Sequence, residues 1–586
     1  MRLLPLFLAI PLATETPNPV QERADRFLQL VNPSYQALTT VQQQAAWLAF
    51  TDVKPEHDAA SEWAAKALAA FNGSPALIRE TRNLLAERDR LRPVTVRQLE
   101  KVLFSAAEGP MTNPALTAER IAAETRQQSI LNSYVYKLDG MPITANGIEK
   151  LLDTSRDLGE RQRVWAASKE VGPPLKGGLL RLRDLRNGCA RELGYPDYFA
   201  LQAARHGMTT AEMLELNRKF LDVLRPLYVE IHTWAKYELA RKYGQPVPKA
   251  IPAHWINNRW SQEWGGLVEG ADFDPYLKSW TPERIVRTGA AFFEGLGLQP
   301  FPPSFWERSD LYPVEPGAGR KKNAHAWCWH VDLDQDVRSL MNVEADFRWF
   351  GTVHHELGHG TYDLAYSTPD VPYLLRDAAS PAFHEGVAEL ISLASRQVPY
   401  LKSVGVLRAD FTIDEKRLLL AEALDTGAPH MAWASGTMTE WEAEFYQGMP
   451  ADKLNQRWWD LVREKQGVVP PMPRGEEYCD AASKSHITDA PAYYYNYAIA
   501  QVLKHQLHDY ICKRILRVDP RSANYAGNKE VGAWLRSWLA RGATEDWRKV
   551  LKDATGEDLS IRAMAEYYAP LVDWLRKENA GRQKGW

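Results

Sequence analysis

Cysteine is scarce in this chain. Four are spread over 586 residues, Cys189, Cys328, Cys479 and Cys512, with no C-x-x-C among them. That spacing argues against a cysteine zinc site or a thioredoxin-like redox motif, and four cysteines in this length do not make a disulfide scaffold. Charge of one sign is also missing. The formal net charge is −3, so nothing argues for nucleic acid as a partner. Beyond the N-terminus no apolar run is long enough to cross a bilayer, and the C-terminal stretch Arg576 to Trp586 is polar. The mature chain is therefore expected to have no membrane span and to be soluble. Internal repeats and low-complexity linkers are absent too, so residues 20–586 are expected to form one unit.

The N-terminus is the exception to this even composition. Residues 1–13, Met1-Arg-Leu-Leu-Pro-Leu-Phe-Leu-Ala-Ile-Pro-Leu-Ala13, carry one positive charge and then an apolar run, the pattern of a secretory signal. A secreted or periplasmic location follows from that reading, and a cytoplasmic one if the segment is not a signal.

What remains reads as helix. From about Val20 to Arg92 the chain is rich in Ala, Leu and Gln, broken at Pro55 and at Asn72-Gly-Ser-Pro75. Thr144 to Leu185 reads as two helices split by Gly172-Pro-Pro174. Thr209 to Tyr243 and Glu283 to Leu298 are further helices. The best strand candidate is Ala324 to Val343, where Ala326-Trp-Cys-Trp-His-Val-Asp-Leu333 is rich in aromatics that favour strands. The class is mainly α, with a small β element. The 21 Trp and 24 Tyr suit either an aromatic-walled channel or large helix–helix contacts in a big core.

The chemistry is concentrated in Thr352-Val-His-His-Glu-Leu-Gly-His-Gly360, where His355, Glu356 and His359 spell H-E-x-x-H. Two imidazoles one helical turn apart can point at one metal ion, with the glutamate beside a metal-bound water. Asn342 is the expected N-cap, with Glu344 and Asp346 in the first turn. Phe347, Phe350, His354 and Leu357 follow at helical spacing. The bare motif arises by chance, and a third ligand decides the matter. Glu385, in Ser380-Pro-Ala-Phe-His-Glu385, lies 26 residues after His359 (385 − 359), room for a returning helix capped by Ser380 with Pro381 first. Two His and one Glu with an open fourth position is a catalytic rather than a structural zinc arrangement. Glu389, one turn on, is either a solvated charge or a group that orients a ligand imidazole.

A third stretch, Lys484 to Tyr497, gathers a cation, His486 and four tyrosines, Tyr493, Tyr494, Tyr495 and Tyr497. Tyr and His are donors suited to an oxyanion, although a tyrosine-rich helix face packed in a core reads the same way.

Together these blocks resemble the peptidyl-dipeptidase A family, the angiotensin-converting-enzyme-like zinc metallopeptidases. Trp260-Ser-Gln-Glu-Trp264 is similar to the family's W-x-Q-x-W. His325-Ala326 stands 30 residues before His355 (355 − 325), as in the family. Leu296 to Trp306, Gln466 to Arg474 and the Lys484-x-His486 pair are similar as well, and the likeness weakens in the N-terminal helices. It implies a two-lobed helical fold with a deep central channel, a single peptidase unit, and N-terminal helices at about 20–108 acting as a lid. It implies zinc on His355, His359 and Glu385, with Glu356 as general base. Tyr497 and His486 would stabilise the oxyanion. Lys484, Gln262 and Tyr494 would hold the substrate's C-terminal carboxylate, and His325 and the backbone of Ala326 would bond its peptide groups. The implied activity is release of C-terminal dipeptides from oligopeptides, because members with Gln at the position of Gln262 remove two residues.

The chain departs from the family in places. One extra residue separates His486 from Tyr497, so Tyr495 is the fallback for the catalytic tyrosine. Asn496 and Val462 stand where chloride-activated relatives have arginine, with Arg463 displaced by one, so chloride is not expected to be required. Ala324 replaces a family cysteine, and Trp327 and Cys328 stand where small residues are usual. The rival readings are a zinc endopeptidase or aminopeptidase of the two-His-one-Glu type, and a peptide-binding homologue that has lost catalysis.

Overall fold

Proline sets where the chain turns into helix. In the computed structural model the first five α-helices start on Pro19, Pro55, Pro75, Pro93 and Pro114, where a missing N–H costs nothing and φ is already helical. The structure describes residues 18–268, 273–315, 317–323 and 325–586. The signal-like residues 1–13 and Ala324 lie outside them. The breaks at Pro55 and Asn72–Pro75 fall where the sequence puts them.

The class is mainly α, as expected, and the strands form three two-stranded pairs among the described residues. Two local expectations need correction. The stretch from Thr144 to Leu185 holds three helices, Ala145–Thr154, Leu158–Ala167 and Gly172–Glu192. The overlooked start is Asp157, whose carboxylate accepts from the Glu160 N–H at 2.9 Å and caps the second helix. The strand candidate is a hairpin. Trp327–His330 pairs antiparallel with Val337–Leu340, and the connection turns because the Asp332 carboxylate accepts from the N–H groups of Asp334 and Asp336.

Three helices frame the site: Phe347–Tyr366, Pro381–Ser395 and Tyr494–Tyr510. Glycine permits their close approach. A Cβ on Gly358 would lie 3.1 Å from the Ala388 backbone, and one on Gly386 3.1 Å from Leu503 Cβ. Most of the large aromatics serve packing: Trp165, Trp264, Trp433, Trp441 and Trp538 are fully buried. The N-terminal helices enclose a separate small core of Val20, Ala24, Leu28, Leu99 and Val102, with Leu374 reaching in from the main body. No helix among the described residues is long and apolar enough to cross a membrane.

Candidate metal centre and peptide site

The motif helix begins later than the sequence suggests. Asp346, in extended conformation, is the N-cap, and its carboxylate accepts from Trp349 N–H at 2.7 Å. Asn342 and Glu344 lie before the helix, and Asn342 instead donates to the Asn323 carbonyl. The buried face carries Phe350, Val353, His354 and Leu357. His354 spans it, bonding Phe350 O and the Tyr400 hydroxyl.

On the opposite face, the Nε2 atoms of His355 and His359 lie 3.2 Å apart. Glu385 Oε2 is 3.8 Å from the first and 4.0 Å from the second. Three donors each about 2 Å from one zinc ion at tetrahedral angles stand roughly 3.4 Å from one another. The spacing and the donor set therefore fit a zinc ion, and among the described residues no other such cluster occurs. Ser380 sits at the N-cap of the returning helix without a side-chain cap bond, and Pro381 opens it.

A polar side chain lies behind each imidazole. Glu389 Oε1 lies 3.7 Å from His355 Nδ1, and its other oxygen accepts from Lys504 Nζ at 3.2 Å. Burial opposes the charge on Glu389, yet Lys504 and His355 outweigh it and draw the carboxyl down to about 2. Of the two readings of Glu389, the geometry matches the orienting one. His359 is held by a group the sequence did not single out. Its Nδ1 is 2.6 Å from His384 Nδ1, and His384 Nε2 donates to Asp363 at 3.1 Å. Asp363 also accepts from the Tyr366 hydroxyl, and His330 on the hairpin lies 3.8 Å away. The histidine preceding Glu385 was the only sequence signal for this pair.

Glu356 points from the same helix as the two histidines and is 7% exposed. Burial pushes its carboxyl up to about 7, opposed by His355 and reinforced by Glu385. A carboxyl near neutrality can both take and return a proton.

The third stretch packs against this centre, because Tyr494–Tyr510 lies along the helix that carries Glu385. Tyr497 is partly open, its hydroxyl 3.4 Å from His486 Nε2, and burial followed by the Glu385 carboxylate raises its pKa. Tyr495 is buried against Phe199 and His206, which makes it core and favours Tyr497 of the two candidates. Burial, Lys484 and His325 together hold the His486 imidazole at about 3, so it is neutral at pH 7. His325 is exposed, and Ala326 beside it is partly buried. Lys484 Nζ donates to Gln262 Oε1 at 2.8 Å and lies 4.2 Å over the Trp260 ring. Burial pushes the Lys484 ammonium down to about 8 despite Glu263. The Tyr494 ring is 5.0 Å from that of His486. Gln262, Lys484, Tyr494, His486 and Tyr497 are therefore brought together. Asn496 and Val462 are buried, and Arg463 is exposed.

The model for the angiotensin-converting enzyme family matches residues 18–586. Angiotensin-converting enzyme of Oryctolagus cuniculus is 30% identical over 461 residues, 75% of this chain and 34% of the relative. The enzyme of the same name from Theromyzon tessulatum is 32% identical over 383 residues, 62% of this chain and 61% of the relative. The angiotensin-converting enzyme-like protein Ace3 of Mus musculus is 30% identical over 462 residues, 75% of this chain and 61% of the relative. The chain thus spans between a third and two thirds of the length of these relatives. It belongs to the angiotensin-converting enzyme family.

Proposed function

We propose that this member of the angiotensin-converting enzyme family is a zinc-dependent dipeptidyl carboxypeptidase acting on oligopeptides. The observation that carries the reading is the buried Lys484–Gln262 pair, 2.8 Å apart, in a chain that also brings His355, His359 and Glu385 together. A cation and an amide donor are what a terminal carboxylate needs, and a clamp fixed relative to the scissile position counts residues from the C-terminus. An aminopeptidase would place carboxylates where Lys484 stands.

Held by His355, His359 and Glu385, a zinc ion would polarise the scissile carbonyl and acidify a water. Glu356 would take a proton from the water that adds to the scissile carbonyl and pass it to the amine that leaves as the peptide bond breaks. Tyr497 and neutral His486 donate to the oxygen on which charge develops. Lys484, Gln262 and Tyr494 hold the substrate carboxylate, and His325 with the backbone of Ala326 bonds its peptide groups. Glu389 and His384 keep the two ligand imidazoles in orientation. Chloride has no arginine to bind at Asn496 or Val462, and exposed Arg463 does not replace one. The N-terminal helices, with their own small core, act as a lid over the site.

The test is mass spectrometry of an oligopeptide with a blocked N-terminus, with and without a chelator. Successive loss of C-terminal dipeptides, stopped by chelator and restored by zinc, is expected. Single-residue loss would overturn the clamp geometry, internal cuts would indicate an endopeptidase, and no cleavage would leave a peptide-binding homologue.

A further inference from the structure

Gln262 uses both ends of its carboxamide. Its Oε1 accepts from Lys484 at 2.8 Å and its Nε2 donates to Glu263 Oε1 at 2.7 Å. The result is a short row of lysine, amide and carboxylate, with opposite charges at its two ends. Beside the row opens a cavity of about 1520 Å³, lined in part by Glu149, Arg259, Trp260, Glu263, Arg396 and Asp425.

The charges on this wall are unevenly satisfied. Arg259 stacks on Trp260 at 4.0 Å and reaches Glu149 at 3.6 Å. Asp425 pairs with Arg396 at 3.2 Å. Glu263 has no lysine, arginine or histidine within 4 Å of its carboxylate among the described residues; burial and the Asp425 carboxylate push its carboxyl up, opposed by the Gln262 amide and by Lys484. When a substrate carboxylate engages Lys484, the lysine's charge is compensated and Glu263 is left unbalanced beside an open space. The Glu263 carboxylate accepts from the Gln262 amide but meets no cation, and a cation arriving from the cavity is attracted to it.

Resting on the carboxydipeptidase reading, we infer that Glu263 is a specificity residue: it selects peptides whose C-terminal residue has a cationic side chain, arginine or lysine. The terminal carboxylate lies on Lys484 and Gln262, and the side chain of the same residue crosses to Glu263. One end of the site reads the backbone charge and the other reads the side-chain charge. A guanidinium suits the second role because it bonds a carboxylate through two N–H groups.

The probe is a matched set of N-blocked peptides that differ only in the last residue: arginine, its neutral isostere citrulline, and norleucine. In the native enzyme kcat/KM for the arginine peptide should exceed that for the citrulline peptide by about ten-fold or more, the scale expected when a site built for a polar group meets an analogue lacking it. In Glu263→Gln the ratio should fall to near one. Equal rates for arginine and citrulline in the native enzyme would overturn the inference without needing any variant. So would a variant that slows all three peptides equally, since that is the signature of Glu263 serving only to position Gln262. Release of dipeptides from all three with no preference would sink this inference alone. Failure to release dipeptides from any of them would remove the carboxydipeptidase reading beneath it.

Discussion

The Nδ1 atoms of His359 and His384 are 2.6 Å apart, so they share one proton between two rings. With His384 Nε2 donating to Asp363, that proton belongs to His359, which leaves His359 Nε2 free to bind a metal. Replacing Asp363 with Asn, or His384 with Ala, is expected to weaken zinc binding about 10- to 100-fold. Competition against a chelator of known affinity, read as bound zinc, checks this. Unchanged affinity would mean that the pair is only packing.

Glu356→Gln should keep stoichiometric zinc and lower kcat by a hundred-fold or more, the scale of general-base loss being about 10²–10⁴. Metal analysis and turnover on the same sample separate the two effects. Activity that survives would assign the base to another group.

Glu385→Ala should lose zinc at neutral pH, because only His355 and His359 remain as ligands. Lys504→Met acts at one remove. It strands Glu389, buried and ionised, and breaking a buried pair in this way costs about 3–5 kcal/mol. The lysine is 3% exposed and the glutamate 23%, so the lower end applies. A lowered unfolding midpoint with zinc still bound is the expected result.

The pH dependence of KM should report Lys484. Burial lowers its ammonium from 10.5 to about 8. The charged form, which on the proposed reading would hold the substrate carboxylate, is therefore full below that value and lost above it. KM should rise between about pH 8 and 10 while kcat changes less. The rise should be absent in Lys484→Met, whose KM is already high.

Raising chloride from near zero to physiological levels should leave kcat/KM nearly unchanged. A steep rise would show that an anion site exists away from Asn496 and Val462.

Much of the site was legible because its parts are short and local. H-E-x-x-H fixes two ligands by helix geometry alone, and Glu385 falls on the next helix at a spacing a loop can bridge. The Gln262–Lys484 pair needed the resemblance, since the two are 222 residues apart and no periodicity joins them. The partners behind the imidazoles were hidden differently. Asp363 looks like one more polar residue on an amphipathic helix, and Lys504 like a surface charge, until three helices pack and turn both inward. The cap at Asp346 was misplaced because Asn342, Glu344 and Asp346 are all cap-like. The choice is made by where the chain leaves the hairpin.

The small core of the N-terminal helices has a thermodynamic consequence. Helices whose buried side chains form largely a small core of their own can come apart while the rest stays folded, at a free energy below that of global unfolding. Amide hydrogens on the buried faces around Val20, Leu28 and Leu99 should then exchange sooner than those of Leu357 or Leu390 in the central helices. In rising denaturant the molecule would pass through a state with its zinc residues in place and its first hundred or so residues unravelled. A protease nicking that state would shed these helices and leave a trimmed remnant still able to take up metal.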